Sequence, residues 1–478
     1  MAKLCATLQR AGVAPSGAVG ALLAMVLATA AVLWAPAAGE LHLGSDDRQL
    51  MAVSRDLAAG RWDRLLDPQL VHVFPLFRLL RLWGDLTFPG GFLWLHAVAV
   101  AAHLASVVLL FALCRRFLAS AWASLATAAL FAWNALGTDA FIIKSQNPYV
   151  LVVPFLLGGL LCLLRMSEGG GRRWAVGGGL SLLAAAGFHV TLAIPSIPAV
   201  FVAWHLLSAR RRRRAAWLAC AAPWVTAGWL WLDRAGAGSI WQTEFHSSPW
   251  RLLARLGEGL AGTVLHFGFL VRHGQPAWWV MAASTTALAL LLWRLRKDRR
   301  LSWLVAALLL AALPAWLTLT ARGAGAHQLS RYCYQSFLAV AVAVGVAVDL
   351  SLTHRGRRRV ILAALLIAAA PGYYIAESRI LEQKTRLLRF NNTVRREFWL
   401  GWCDFFRQAR PGLRVPPLPI EPSLLATEVV RICAPRGLPG VVLLDAAGAG
   451  AGDCEEFRRL ALESGRIAIR EPAPCPGR

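Results

Sequence analysis

Long apolar runs separated by short polar segments dominate most of the chain. A run of roughly 20 apolar residues is long enough to cross a bilayer as a helix. We predict about eleven such spans and therefore an all-α polytopic membrane protein. The spans are expected at roughly 17–37, 91–113, 118–136, 148–164, 174–189, 192–209, 215–232, 278–293, 301–320, 337–352 and 360–376.

Two segments depart from this pattern. In residues 40–90 charges interleave with apolar residues, a pattern typical of amphipathic helices that lie in the bilayer interface. Residues 377–478 have ordinary polarity, and the apolar run 441–444 is followed by a glycine-rich stretch, a helical segment and the strand-like run 466–469. We therefore predict a transmembrane domain at 1–376 and a small α/β exoplasmic domain at 377–478.

The composition supports a membrane protein. Hydrophobic residues make up 57% of the 478 residues and charged residues 16%, against ~45–50% and ~25% in soluble domains. The mean hydropathy is +0.52. These values exclude a disordered chain, a small disulfide-stapled scaffold and a fibrous repeat.

The distribution of charge predicts the topology. The net charge is +24, and most of the excess Lys and Arg lies in alternate loops, such as the run Arg210–Arg214. Basic loops are retained in the cytoplasm, so we predict a cytoplasmic N-terminus, a periplasmic or extracellular C-terminus and a place in the plasma (inner) membrane. We interpret the Arg run as a topological determinant and expect no nucleic-acid partner.

The spans themselves contain few ionisable residues, namely His96, His103, His205 and Asp349. A transporter usually places such groups near the bilayer midplane, so this scarcity disfavours transport. We expect His103, the deepest of them, to be a hydrogen-bonded packing group. No Cys or His spacing indicates a metal site, and we expect no cofactor.

Candidate chemistry therefore concentrates in the predicted outer loops. Asp46 and Asp47 lie near the start of the long loop after the first span, where they could cap a helix or act as catalytic carboxylates. The outer loop 321–336 holds Arg322, His327, Arg331 and Tyr332. Arginine suits phosphate binding, although Arg and Tyr are also common at bilayer edges.

Four motifs together resemble the GT-C-type integral-membrane glycosyltransferases, a superfamily that includes protein O-mannosyltransferases and lipid A aminoarabinose transferases. The aspartate pair after the first span is one, and the late Arg-Tyr element of 330–334 is another. The others are the His/Pro stretch 72–78 and the turn 187–191. The resemblance covers about residues 15–376. The chain has Asp-Asp where some relatives have Asp-Glu, and Thr191 or His189 where several have Lys.

The resemblance implies inverting transfer of a sugar from a polyprenyl-phosphate donor to a hydroxyl of a glycan, lipid or protein at the outer face. Asp46 is then the first candidate for the general base and Asp47 the second, and they should face one outer cavity with Arg331. Donor-phosphate binding is assigned to Arg331, Tyr332, Arg322 and His327. Further cavity residues are His72, Arg78, Lys144 and His189, although the sequence pattern by itself favours a structural role for Lys144 and His189.

Two other hypotheses remain open at this point. A transporter or flippase of a lipid-linked precursor would need a polar path lined by residues such as His103. A non-enzymatic membrane scaffold would need neither that path nor a shared outer cavity.

Overall fold

The structure is a computed structural model. It describes residues 17–35, 45–67, 73–88, 93–135, 138–142, 144, 147–208, 214–235, 278–322, 330–353, 361, 364–365, 368–382, 385, 414–415 and 442–443. The chain forms two compact units. The first consists of Met1–Gly39 and Leu65–Lys384, and the second of Glu40–Arg64 and Thr385–Arg478.

The described part of the first unit is helical. Its helices are α1 (Gly17–Trp34), α3 (Pro75–Thr87), α4 (Leu93–Phe117), α5 (Ala121–Trp133), α6 (Thr138–Ile142), α7 (Pro148–Ser167), α8 (Arg172–Phe188), α9 (Val190–Leu207), α10 (Arg214–Ala235), α11 (Trp278–Arg294), α12 (Arg299–Arg322) and α13 (Ser330–Thr353). Residues 368–382 are also helical.

Every predicted span overlaps residues that the structure describes as helical. Among the described residues, α1, α4, α7, α9 and residues 334–353 of α13 are long and apolar enough to cross a membrane, and α5 is a shorter apolar helix. The chain is a multi-pass membrane protein.

Two boundaries differ from the prediction. Both described ends of the predicted loop 321–336 are helical, because α12 continues to Arg322 and α13 begins at Ser330. The helix at 368–382 extends beyond the predicted domain boundary at 376, and the first unit ends at Lys384. In both places the helix includes polar residues. A prediction from hydropathy alone therefore makes the helix too short.

The helices of the first unit pack closely where small residues face a neighbour. Helix α7 packs against α8, and a Cβ atom built at Gly159 would lie 2.7 Å from Leu182 Cδ2. Without a hydrophobic driving force inside a bilayer, such close backbone approach is a main source of helix association. Large apolar side chains such as Leu218 and Trp229 are exposed, as expected where lipid covers a helix.

At the end of the bundle where the basic clusters lie, a buried carboxylate joins three helices. Asp349 of α13 accepts hydrogen bonds from the backbone nitrogens of Ala119 (3.1 Å) and Ser120 (2.7 Å), just before α5. Arg300 of α12 lies 3.2 Å from the same carboxylate. Asp349 is therefore a structural residue of the predicted cytoplasmic end.

The second unit contains α2 (Ser45–Ala58) and a pair of two-residue parallel strands, β1 (Arg414–Val415) and β2 (Val442–Leu443). Helix α2 buries Leu50 and Leu57, two turns apart on one face. Its buried Asp56 pairs with Arg61 beyond the helix. Strand β2 lies within the apolar run 441–444. Apart from β1, β2, residues 377–382 and residue 385, the predicted α/β domain lies outside the described residues.

A proline in α12 is compensated by α13. Pro314 has no N–H, so it cannot donate the helical hydrogen bond to the Leu310 carbonyl four residues earlier. Gln335 Nε2 of α13 donates to that carbonyl at 2.8 Å, and Ser336 Oγ donates to the next one, that of Ala311, at 3.2 Å. Backbone groups that a proline frees inside a membrane need such partners from neighbouring helices.

We therefore predict that Gln335→Leu destabilises the protein by about 1–2 kcal/mol, because the Leu310 carbonyl loses its donor. Pro314→Ala restores an N–H to α12, so Gln335→Leu should cost measurably less in that background. Thermal unfolding in detergent of the wild type, both single variants and the double variant measures this coupling. An equal cost of Gln335→Leu in both backgrounds would contradict it.

Candidate active site

Two buried histidines of α4 connect helices at the end of the first unit that is predicted to face outward. His96 and His103 are seven residues apart, so they lie on one face of the helix, two turns from each other. In each histidine, one ring nitrogen is hydrogen-bonded to a backbone carbonyl near the end of a neighbouring helix. The other ring nitrogen is hydrogen-bonded to a side chain. A carbonyl only accepts hydrogen bonds, so these contacts fix the tautomer of both rings.

His96 joins the end of α1 to Lys144. Its Nε2 donates to the carbonyl of Trp34 at 2.9 Å, one of the last carbonyls of α1, which have no partner within the helix. The Nδ1 lone pair therefore faces Lys144 Nζ, 3.4 Å away. The same ammonium donates to the Phe141 carbonyl at 3.1 Å.

The burial of Lys144 is unusual for a lysine, because only 1% of its surface is exposed. Removing an ammonium from water is costly, and the surrounding chain compensates with close polar contacts. Asn147 Nδ2 donates to the Ala140 carbonyl at 2.7 Å and holds the segment that carries Lys144. Phe141 stacks on Trp34 with ring centroids 4.0 Å apart.

His103 joins the end of α5 to α13. Its Nε2 donates to the Ala132 carbonyl at 3.0 Å, and its Nδ1 accepts a 2.8 Å hydrogen bond from the Tyr334 hydroxyl. The rings of Trp34, Phe131 and Phe141 pack around it. His103 is fully buried, which confirms the predicted packing role and gives no support to a polar path along this side chain.

A buried acid that the sequence analysis did not single out lies at the same end of the first unit. Glu377, on the helical segment 368–382, accepts a 2.8 Å hydrogen bond from the backbone nitrogen of Ala135, just after α5. Tyr373, one turn earlier, donates to the Leu130 carbonyl at 3.3 Å. The signal was present in the sequence, since Tyr373 and Glu377 are one helical turn apart at the end of the last apolar run.

His189 caps α9, so its structural interpretation has direct support. The backbone nitrogen of Leu192 donates to His189 Nδ1 at 3.1 Å, and the ring lies between Phe74 (4.9 Å) and Tyr149 (4.8 Å). Tyr149 belongs to the first turn of α7, and Asn147 immediately precedes that helix. Lys144 and His189 are therefore both held around the start of α7.

The His/Pro stretch lies on the turn between α8 and α9. The Val190 nitrogen donates to the Val73 carbonyl at 3.1 Å. A Cβ atom at Gly187 would lie 2.5 Å from Leu76 Cδ1, so only glycine permits this approach. The two motifs of the sequence that carry His72 and His189 thus meet in the fold at Val73 and Val190.

Arg78 is a buried cation on α3. One guanidinium nitrogen donates to the Leu65 carbonyl at 3.0 Å. Burial lowers the pKa of Arg78 to about 10, and the nearby Asp67 carboxylate partly opposes that shift. The side chain therefore stays charged at neutral pH.

The remaining predicted site residues are placed by their backbone alone or not at all. Asp46 and Asp47 lie in the first turn of α2, Arg331 and Tyr332 in the first turn of α13, and Arg322 ends α12. Their side chains lie outside the described residues, as do His72 and His327 entirely. The expectation that an acid and a guanidinium face one cavity therefore stays a prediction.

No protein-family model matches the sequence, and no curated protein matches it. Among solved structures, the chain is similar to the crystal structure of ArnT from Cupriavidus metallidurans in the apo state. The TM-score is 0.50 at 13% sequence identity, over 95% of this chain and 89% of ArnT. The predicted resemblance to the GT-C type is therefore confirmed as a resemblance of fold.

Proposed function

We propose that the protein is a membrane glycosyltransferase of the GT-C type that transfers a sugar from a polyprenyl-phosphate donor to an acceptor hydroxyl at the outer face of the plasma membrane. The observation that carries this proposal is the match of fold over nearly the whole of both chains. ArnT is an aminoarabinose transferase of the GT-C family. The four sequence motifs add residue-level support.

The proposed chemistry is a single inverting displacement. The acceptor oxygen attacks the anomeric carbon, its proton passes to Asp46 or Asp47, and the bond to the phosphate oxygen breaks with both electrons leaving on the phosphate. A base within hydrogen-bond reach of the acceptor proton is the main requirement of this step. No covalent intermediate is needed.

The leaving group is already a stable anion, so it requires positive charge more than a strong acid. Arg331 and Tyr332, with Arg322 and His327, are proposed to bind the donor phosphate. Arg78, Lys144, His72 and His189 are proposed to border the rest of the cavity. The burial of Lys144 and Arg78 supports a functional role for these side chains, because burying a cation costs folding free energy.

The competing hypotheses gain no support from the described residues. A transporter would need a polar path at His103, and that ring is enclosed and hydrogen-bonded at both nitrogens. A scaffold gives no reason for retaining costly buried cations such as Lys144 at the outer end.

We predict that Asp46→Asn lowers transfer roughly 10²–10⁴-fold, the usual contribution of a general base, while donor binding stays near normal. The measurement is sugar transfer by purified protein in lipid nanodiscs, with Asp47→Asn compared in parallel. Binding of the unreacted donor serves as the folding control. Full activity in both variants would show that neither carboxylate is the base.

We also predict that Arg331→Ala raises the KM for the polyprenyl-phosphate donor roughly 10–100-fold, because a charge-assisted hydrogen bond to phosphate is lost. The KM for the acceptor should change little. Steady-state kinetics with each substrate varied in turn separates the two effects. Equal increases for donor and acceptor would indicate that Arg331 has only a structural role.

A further inference from the structure

We infer that Tyr334 and Gln335 are positioning residues for the donor-phosphate side of the proposed site. This inference rests on the proposed function. Both residues follow Arg331 and Tyr332 within α13, so they act on the phosphate site through the backbone of that helix. Their side chains are almost completely buried.

The distance along the helix makes this coupling direct. Arg331 precedes Tyr334 by three residues, or ~4.5 Å along the axis, and precedes Gln335 by four. Residues three and four apart lie on neighbouring positions of one helix face. Whatever rotamer Arg331 adopts, its Cα position is therefore set by the contacts that hold Tyr334 and Gln335.

Tyr334 fixes the rotation of the first turns of α13. His103 Nε2 is committed to the Ala132 carbonyl, so Nδ1 can only accept, and the Tyr334 hydroxyl donates to it at 2.8 Å. The Tyr334 ring also packs against Phe131 and Phe141, with centroids 5.4 and 5.9 Å away. A small rotation of α13 would break a hydrogen bond that no water can replace in this buried place.

Gln335 holds the same turns of α13 through hydrogen bonds to two other helices. Its Nε2 donates to Ser196 Oγ of α9 at 3.1 Å and to the Leu310 carbonyl of α12 at 2.8 Å. The Leu310 carbonyl needs this donor because Pro314 cannot supply one. Two adjacent residues thus hold α13 against α4, α9 and α12 directly after the proposed phosphate ligands.

The test uses Tyr334→Phe, which removes one hydroxyl and keeps the ring. We expect the Kd for polyprenyl phosphate alone, measured with the full chain in nanodiscs, to rise roughly three- to tenfold. The donor KM should rise in parallel with kcat little changed. Ser181→Ala is the matched control, because it removes a single hydroxyl that donates to the Phe155 carbonyl between α7 and α8. It should leave the Kd unchanged.

A second variant changes the same hydrogen bond from the side of its acceptor. His103→Gln can still donate to the Ala132 carbonyl through its amide nitrogen, but its acceptor is a flexible amide oxygen, so the Tyr334 hydroxyl loses the fixed geometry of the ring Nδ1. It should weaken polyprenyl-phosphate binding to a similar extent, and the double variant with Tyr334→Phe should be no weaker than either single variant. If Tyr334→Phe fails to fold, His103→Gln decides by the same criteria.

The outcomes separate the two levels of the proposal. A wild-type protein that binds no polyprenyl phosphate would overturn the proposed function. Wild-type binding with an unchanged Kd in Tyr334→Phe, even with a lower melting temperature, would overturn the positioning role and leave the proposed function in place.

Discussion

One end of the membrane-spanning unit, predicted to be the outer one, depends on a repeated interaction. In it a buried histidine Nε2–H donates to a carbonyl near the end of a neighbouring helix. His96 provides it to α1 and His103 to α5. Helix ends leave carbonyls without partners, and inside a bilayer water cannot satisfy them. Without these donors the Trp34 carbonyl of α1 and the Ala132 carbonyl of α5 would each lose a hydrogen-bond partner.

The same interaction has a second consequence, because a neutral imidazole that donates at one nitrogen must accept at the other. His96 therefore turns an acceptor towards Lys144, and His103 turns one towards Tyr334. One packed helix face thus holds a buried cation and the beginning of α13. A structural requirement of helix ends in lipid also organises the residues that the proposed transferase would use on its donor side.

Much of the first unit could be predicted from hydropathy and charge alone. The described residues within the predicted spans are mostly helical, because long apolar runs leave few alternatives in a bilayer. The resemblance of fold to the GT-C type was indicated by four short motifs. The motifs at 72–78 and 187–191 contact each other, as at Val73 and Val190. The positions of the helices and the resemblance of fold can both be predicted without knowing which side chains form pairs.

The pairings themselves could not be predicted. The helical start of α13 was missed because Tyr334 and Gln335 are polar, and their compatibility with a buried helix depends on His103 and on Pro314 elsewhere in the chain. Glu377 was missed for the same reason, since its partner, the Ala135 nitrogen, becomes available only where α5 ends. Hydropathy measures each residue by itself, whereas these residues are buried only as pairs.

The most direct test of the proposed donor site is a solid-state NMR measurement of ³¹P–¹⁵N distances between bound polyprenyl phosphate and the arginine guanidinium groups. A direct hydrogen bond from Arg331 to the phosphate would place nitrogen and phosphorus about 4 Å apart, and Arg331→Lys should remove that signal. Saturated lipid binding without any signal that depends on Arg331 would contradict a phosphate site at the start of α13.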